Sequence, residues 1–144
     1  MDLSPLNLGM IAAYYYITYT TIELFANSLT AKTKIKGLLE IISAANEFDS
    51  LPMRPGEEAT IERLLKHAHL SVDKPRYGDP HTKANALLQA HFSRERLHGD
   101  LGNDTRTAVR ESARLLQVSL GSEHDTMHRC SASCKPTLTV AVTA

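Results

Sequence analysis

Apolar side chains recur at helical spacing through the first 120 residues of the chain. Pro5 and Asn7 precede an apolar run that predicts a helix over about Leu6–Ile17. Thr20-Thr21-Ile22-Glu23 then has the form of a capping box, in which Thr20 and Glu23 would satisfy each other's backbone N–H groups. It predicts a second helix ending near Leu29. Ile35, Leu38, Leu39 and Ile42 follow at i, i+3, i+4 and i+7, the stripe of an amphipathic helix. Leu51-Pro52-Met53-Arg54-Pro55-Gly56 is a break. Glu57 and Glu58 fit a first turn, where the helix dipole favours anions, and Ile61, Leu64, Leu65 and Ala68 repeat the stripe. Ser71–Asp79, with Pro75 and Gly78, reads as loop. Asp79-Pro80 is an N-cap followed by proline at the first helical position, and Ala84, Leu87, Leu88 and His91 supply the next stripe. A glycine-containing connection over Leu97–Asn103 leads to a sixth helix over about Asp104–Leu120.

After Gly121 the stripe is lost and Ser, Thr and His predominate. Thr137–Val142 alternates weakly, like a strand without a partner. The expected architecture is all-α: a bundle of about six helices over residues 1–120, with a divergent, largely disordered tail at 121–144.

Composition narrows the function classes. The length of 144 residues fits one domain, and 42% hydrophobic with 22% charged residues argues against a wholly disordered chain. Sixteen basic side chains balance sixteen acidic ones, but the halves differ. Residues 1–72 carry 6 basic and 8 acidic groups (−2), and residues 73–144 carry 10 and 8 (+2). The two cysteines, Cys130 and Cys134, cannot staple a domain of this size. The apolar stretch Leu8–Leu29 contains Glu23 and Asn27 and makes a poor membrane span; the N-terminus lacks the basic region of a signal peptide. A soluble intracellular protein without a membrane partner is expected. No phosphate-binding loop, nucleophile elbow or helical carboxylate pair is found, so no enzyme activity of the chain alone and no cofactor are expected. His124, His128, Cys130 and Cys134 are zinc-ligand types, but H-x3-H-x-C-x3-C is too compressed for a zinc finger, and no metal is expected.

The sixth helix carries the clearest candidate chemistry. Arg106, Arg110 and Arg114 fall in one sector, with Val109, Ala113, Leu116 and Leu120 expected in the neighbouring buried arc. Guanidinium groups one turn apart suit a phosphate backbone; the competing reading is a solvated face paired with Glu111. Tyr14, Tyr15, Tyr16 and Tyr19 point in different directions on a helix and fit core or interface packing better than a base-stacking platform. Lys32, Lys34 and Lys36 read first as solvated charge. His67, His69, His81, His91 and His98 show no pairing with a nucleophile or a carboxylate at ligand spacing, and His91 on its apolar stripe reads as a core histidine.

A longer set of motifs goes further. Leu3-Ser4-Pro5-Leu6-Asn7-Leu8-Gly9-Met10-Ile11-Ala12-Ala13-Tyr14-Tyr15-Tyr16-Ile17 resembles the opening of the Sec sixty-three homology domain of large Ski-two-like RNA helicases. Thr20–Phe25, Lys32-Thr33-Lys34, Gly37–Ser43, Asp79-Pro80-His81 and above all Leu87-Leu88-Gln89-Ala90-His91-Phe92-Ser93-Arg94 continue the likeness, which runs to about Val118. It is strongest toward the unit in the second cassette of the spliceosomal member. The resemblance implies a helical bundle that follows two RecA-like motor domains and a winged helix and closes the RNA channel against the motor. It further implies that the sixth helix contacts the threaded single strand, and Arg114 resembles that helix's family arginine. Arg106 and Arg110 rest on the shared face alone. The implied partners are single-stranded RNA, the motor domains and splicing proteins, and the implied location is the nucleus. On this reading the chain is a partial, truncated bundle without a motor. The alternatives are a protein-interaction adaptor for splicing, coactivator-complex or translocon partners, and a truncated gene product without independent function.

Overall fold

The computed structural model describes residues 7–30 and 32–127. Among them are six α-helices, one 3-10 helix and no strand. The α-helices are α1 (Asn7–Tyr15), α2 (Tyr19–Ser28), α3 (Ile35–Ser43), α4 (Glu57–His67), α5 (Pro80–Phe92) and α6 (Gly99–Met127). The 3-10 helix, Asn46–Ser50, follows α3 in the segment before the expected break.

Helix α5 is the axis of the bundle. Every residue from Thr82 to Ala90 is buried, and the helix packs against α3, α4, α6 and the 3-10 helix. A helix becomes buried all round when it separates two cores. Ala84 and Leu88 face the larger one, built with Ile17, Ile22, Phe25, Leu39, Ile42, Phe48, Leu115 and Val118. Ala86 and Ala90 face a smaller one, with Ile61 and Leu64 of α4. Asp79 starts α5 as expected: its carboxylate accepts from the His81 N–H, and Pro80 opens the first turn.

Such a helix has no solvent in which to place polar groups, so each must find a partner. Asn85 Nδ2 donates to Ser43 Oγ at 3.2 Å. Gln89 Nε2 donates to Asn85 Oδ1 at 2.8 Å and to the Leu70 carbonyl at 2.9 Å, while Gln89 Oε1 accepts from Leu70 N–H at 3.0 Å. The loop after α4 is thereby fastened to α5. His81 Nδ1 lies 2.9 Å from the Ser43 carbonyl oxygen, and Nε2 lies 2.9 Å from Asp49 Oδ1. This histidine thus meets a carboxylate that sequence spacing does not announce, because Asp49 arrives from the 3-10 helix. His91, one residue beyond the buried run, is exposed and not part of the core.

Lys83 is the extreme case, with its side chain 0% exposed. Its ammonium donates to the Pro52 carbonyl at 2.6 Å, Glu57 Oε2 at 2.6 Å and Asp104 Oδ2 at 2.7 Å, using all three protons. Arg54 closes the cluster by donating from NH1 to Glu57 Oε1 at 2.9 Å and to Asp104 Oδ2 at 2.7 Å. Burial alone would raise both carboxyls, but the Lys83 and Arg54 hydrogen bonds outweigh it and hold Glu57 and Asp104 below their ordinary values. Arg54 is held above its own by Asp104 first and Glu57 second.

Two helix starts differ from the sequence reading. The N-cap of α2 is Thr18, not Thr20, which puts Thr21 at the third helical position and Glu23 out of reach of a reciprocal bond. Glu47 of the 3-10 helix serves instead, accepting from Thr18 N–H at 2.9 Å, Thr18 Oγ1 at 3.0 Å and Thr21 Oγ1 at 2.6 Å. Helix α6 begins at Gly99 rather than Asp104. Gly102 is not a loop signal there: a Cβ on it would stand 2.7 Å from the Leu97 carbonyl oxygen, so the helix passes this carbonyl only with glycine. At its far end α6 is continuous through Gly121 to Met127. An isolated helical glycine costs only about 1 kcal/mol, and the next proline is Pro136. The expectation for 128–144 lies outside the described residues.

Replacing Lys83 with methionine removes the centre of the cluster while keeping an unbranched chain. The variant is expected to lose about 3–5 kcal/mol of unfolding free energy, the cost of breaking a buried pair from one side, as read from urea unfolding. The lowered carboxyl values carry a pH dependence. Relative to the unfolded chain, Glu57 and Asp104 contribute stability above their ordinary values of 4.5 and 3.8, and that contribution is lost as pH falls through the lower folded values. A Glu57→Gln, Asp104→Asn double variant is expected to be less stable at neutral pH. Its loss of stability on acidification should also be shallower than that of the parent chain.

Candidate nucleic-acid interface

Helix α6 sets the candidate arginines. Its buried arc is Asp104, Ala108, Ser112, Leu115 and Val118, at spacings of three and four. This arc is rotated from the expected one: Val109 and Leu116 are only partly buried and Ala113 is exposed. The rotation follows from Asp104, which must face Lys83 and turns that side of the helix inward. Successive i+4 positions drift by roughly 40° around a helix, so the three arginines are not equivalent. Arg106 points away from the core and is exposed, with NH1 donating to Asn103 Oδ1 at 3.3 Å. Arg110 is also exposed, its Nε 3.6 Å from Glu111 Oε1. Arg114 lies at the edge of the packed face, its NH2 in close contact with Glu111 Oε2.

Arg110 and Arg114 share an open groove of about 410 Å³ between the 3-10 helix and α6. Thr107, Glu111, Asn46 and Glu47 are among its other walls, and Arg106 is outside it. The structure thus brings two of the three arginines together and sets the third on the adjoining outer surface. Glu47 enters the groove already committed to Thr18 and Thr21, whose hydrogen bonds overcome its burial and hold its carboxyl below the ordinary value. Glu111, weighed in the sequence only as a neutralising neighbour, is the carboxylate between the two arginines. Sequence reasoning missed Glu47, because the 3-10 helix that presents it has no apolar periodicity.

The remaining candidates separate. Tyr14, Tyr16 and Tyr19 are 77%, 86% and 70% exposed, whereas Tyr15 packs against the larger core; a single stacking platform is not formed, and core packing holds for Tyr15 alone. Lys36 is paired with Asp73 at 3.3 Å and Glu40 at 3.8 Å, while Lys32 and Lys34 are exposed. The zinc-ligand types His124, His128, Cys130 and Cys134 lie outside the described side chains. Among the described residues no helix is long and apolar enough to cross a membrane.

Known proteins place this bundle. The Sec63 Brl domain model matches residues 5–134. The chain is 59% identical over 118 residues to the DExH-box ATP-dependent RNA helicase DExH12 of Arabidopsis thaliana, covering 82% of this chain and 5% of that relative. It is 51% identical over 118 residues to the human U5 small nuclear ribonucleoprotein 200 kDa helicase, with 82% and 6% covered. It is 49% identical over 115 residues to the activating signal cointegrator 1 complex subunit 3-like protein of Dictyostelium discoideum, with 80% and 5% covered. The chain therefore spans about a twentieth of the length of these relatives. With the helical bundle in hand and a family match across most of its length, the chain belongs to the Sec63 Brl domain family.

Proposed function

We propose that the chain acts as an accessory helical-bundle module of an RNA helicase that works in pre-mRNA splicing. The proposed unit, residues 1–120, packs on RecA-like motor domains and closes an RNA channel in the nucleus. Its α6 meets single-stranded RNA through Arg106, Arg110 and Arg114. ATP hydrolysis and unwinding belong to the motor, and the bundle supplies a wall and phosphate contacts. The observation that carries this reading is the open groove along α6, with Arg110 and Arg114 on its wall, in a chain similar to RNA helicases over 82% of its length. Guanidinium groups on an exposed helix face favour a flexible phosphate chain, and exposure leaves such contacts weak and salt-dependent.

The exposed Met10, Tyr14, Tyr16 and Tyr19 around α1 and α2 favour a second reading. In it the bundle is an adaptor that docks protein partners, and the arginine face is ordinary solvated surface.

Fluorescence anisotropy with a dye-labelled single-stranded RNA separates the two readings. Affinity is expected to fall between 50 and 200 mM salt, with a logarithmic slope of about −0.7 for each phosphate neutralised. Joint Arg106→Ala, Arg110→Ala and Arg114→Ala changes are expected to weaken binding at least roughly tenfold and flatten that slope. Arg106→Ala alone is expected to leave unfolding free energy within about 0.5 kcal/mol, as for other exposed positions. Binding that ignores both salt and the arginines would leave the adaptor reading standing.

A further inference from the structure

The groove between the 3-10 helix and α6 holds two guanidinium groups and two carboxylates, so its local charge cancels. The two carboxylates are not alike. Glu47 has both oxygens engaged by the start of α2, accepting from Thr18 and Thr21. Glu111 has its polar partners, among the described residues, in the arginines themselves: Oε1 lies 3.6 Å from Arg110 Nε, and Oε2 is in close contact with Arg114 NH2. Glu111 Oε2 and Arg114 Nε are both buried without a hydrogen-bond partner among the described residues, so the two side chains meet as a close ion pair that leaves both groups short of hydrogen bonds.

We propose that Glu111 occupies the position that an RNA phosphate takes between Arg110 and Arg114, and so competes with single-stranded RNA from within the chain. This rests on the RNA-contact reading of α6 and adds its regulation. An RNA phosphodiester, like a carboxylate, presents two anionic oxygens to the arginine fork, so it can replace Glu111 between Arg110 and Arg114. Exchange can begin on the Arg110 side, which is exposed and where an ion pair is weak. When the strand leaves, Glu111 returns to the arginines, which keeps the contact transient, as suits a wall past which a strand moves. Glu47 cannot take this part, since its withdrawal would uncap α2.

The test uses the full chain and a dye-labelled single-stranded RNA. Glu111→Gln keeps the side-chain volume and removes the competitor. It is expected to raise RNA affinity roughly two- to fivefold at 50 mM salt and to steepen the salt slope by up to about 0.7 per arginine released. Glu62→Gln on α4 makes the same change in net charge away from the groove and is expected to leave both nearly unchanged. In the unsubstituted chain, NMR signals of the Glu111 carboxyl and the Arg114 Nε–H are expected to move together as RNA is added. Arginine-dependent binding in which Glu111→Gln behaves like Glu62→Gln would overturn the competitor and leave the RNA-contact reading intact. Binding insensitive to Arg110 and Arg114 in both backgrounds would overturn the reading itself, and the competitor with it.

Discussion

The ammonium of Lys83 is buried away from solvent, and the bundle is arranged around that fact. Burying an ammonium is costly unless each of its protons is accepted and its charge is balanced. Here the acceptors come from three different places: the Pro52 carbonyl in the break, Glu57 at the start of α4, and Asp104 on α6. None of these is close to Lys83 in the chain, so the cluster converts one electrostatic demand into three tertiary restraints. Arg54 then shares Glu57 and Asp104 with Lys83, which leaves two cations facing two anions and a third carboxylate, Asp100, 3.8 Å from Arg54 Nε. Removing one member uncovers charge on the others. Apolar burial is non-directional, whereas this cluster has a fixed stoichiometry and geometry. It is the feature that specifies how α4 and α6 sit on α5.

The functional surface depends on that restraint at a distance. Asp104 and Arg114 lie on one continuous helix, separated by roughly 15 Å at the standard rise. Turning Asp104 toward Lys83 sets the rotation of everything beyond it. Arg114 then reaches the edge of the packed face, Arg110 the groove, and Arg106 the open side. The opposite wall of the groove, the 3-10 helix, is held by Glu47 at the start of α2 and by Asp49 on His81. Both walls are therefore positioned by polar contacts rather than by the arginines. The basic groups remain available to exchange partners without disturbing the fold.

Much of this fold was legible along the chain. The six helices, the Asp79-Pro80 start and the stripes through Leu39, Ile42, Ile61, Leu64, Leu87 and Leu88 follow from period and capping chemistry, which are local. The misreadings share a cause. The 3-10 helix is too short to show a period, so nothing in the sequence marks Glu47 and Asp49, or with them the true cap of α2 and the partner of His81. Gly102 has the look of a loop residue because its reason is spatial: a Cβ there would stand 2.7 Å from the Leu97 carbonyl oxygen. Lys83 at the edge of an apolar run gives no hint of burial, since its acceptors lie 21 to 31 residues away in sequence. The arginine sector of α6 was visible from spacing, but its division into a pair and a single was not, because that depends on the rotation Asp104 imposes.

The Lys83 cluster locks α6 onto the bundle and thereby places the arginine groove. Amide hydrogen exchange on the parent chain and the Lys83→Met variant, compared at neutral pH, tests it most directly. Protection is expected to fall first and most in the first turns of α4 and in α6 between Asp100 and Arg114, while α2 and α3 keep theirs. Exchange in α6 that matches the parent chain, or protection lost evenly over all the helices, would contradict it.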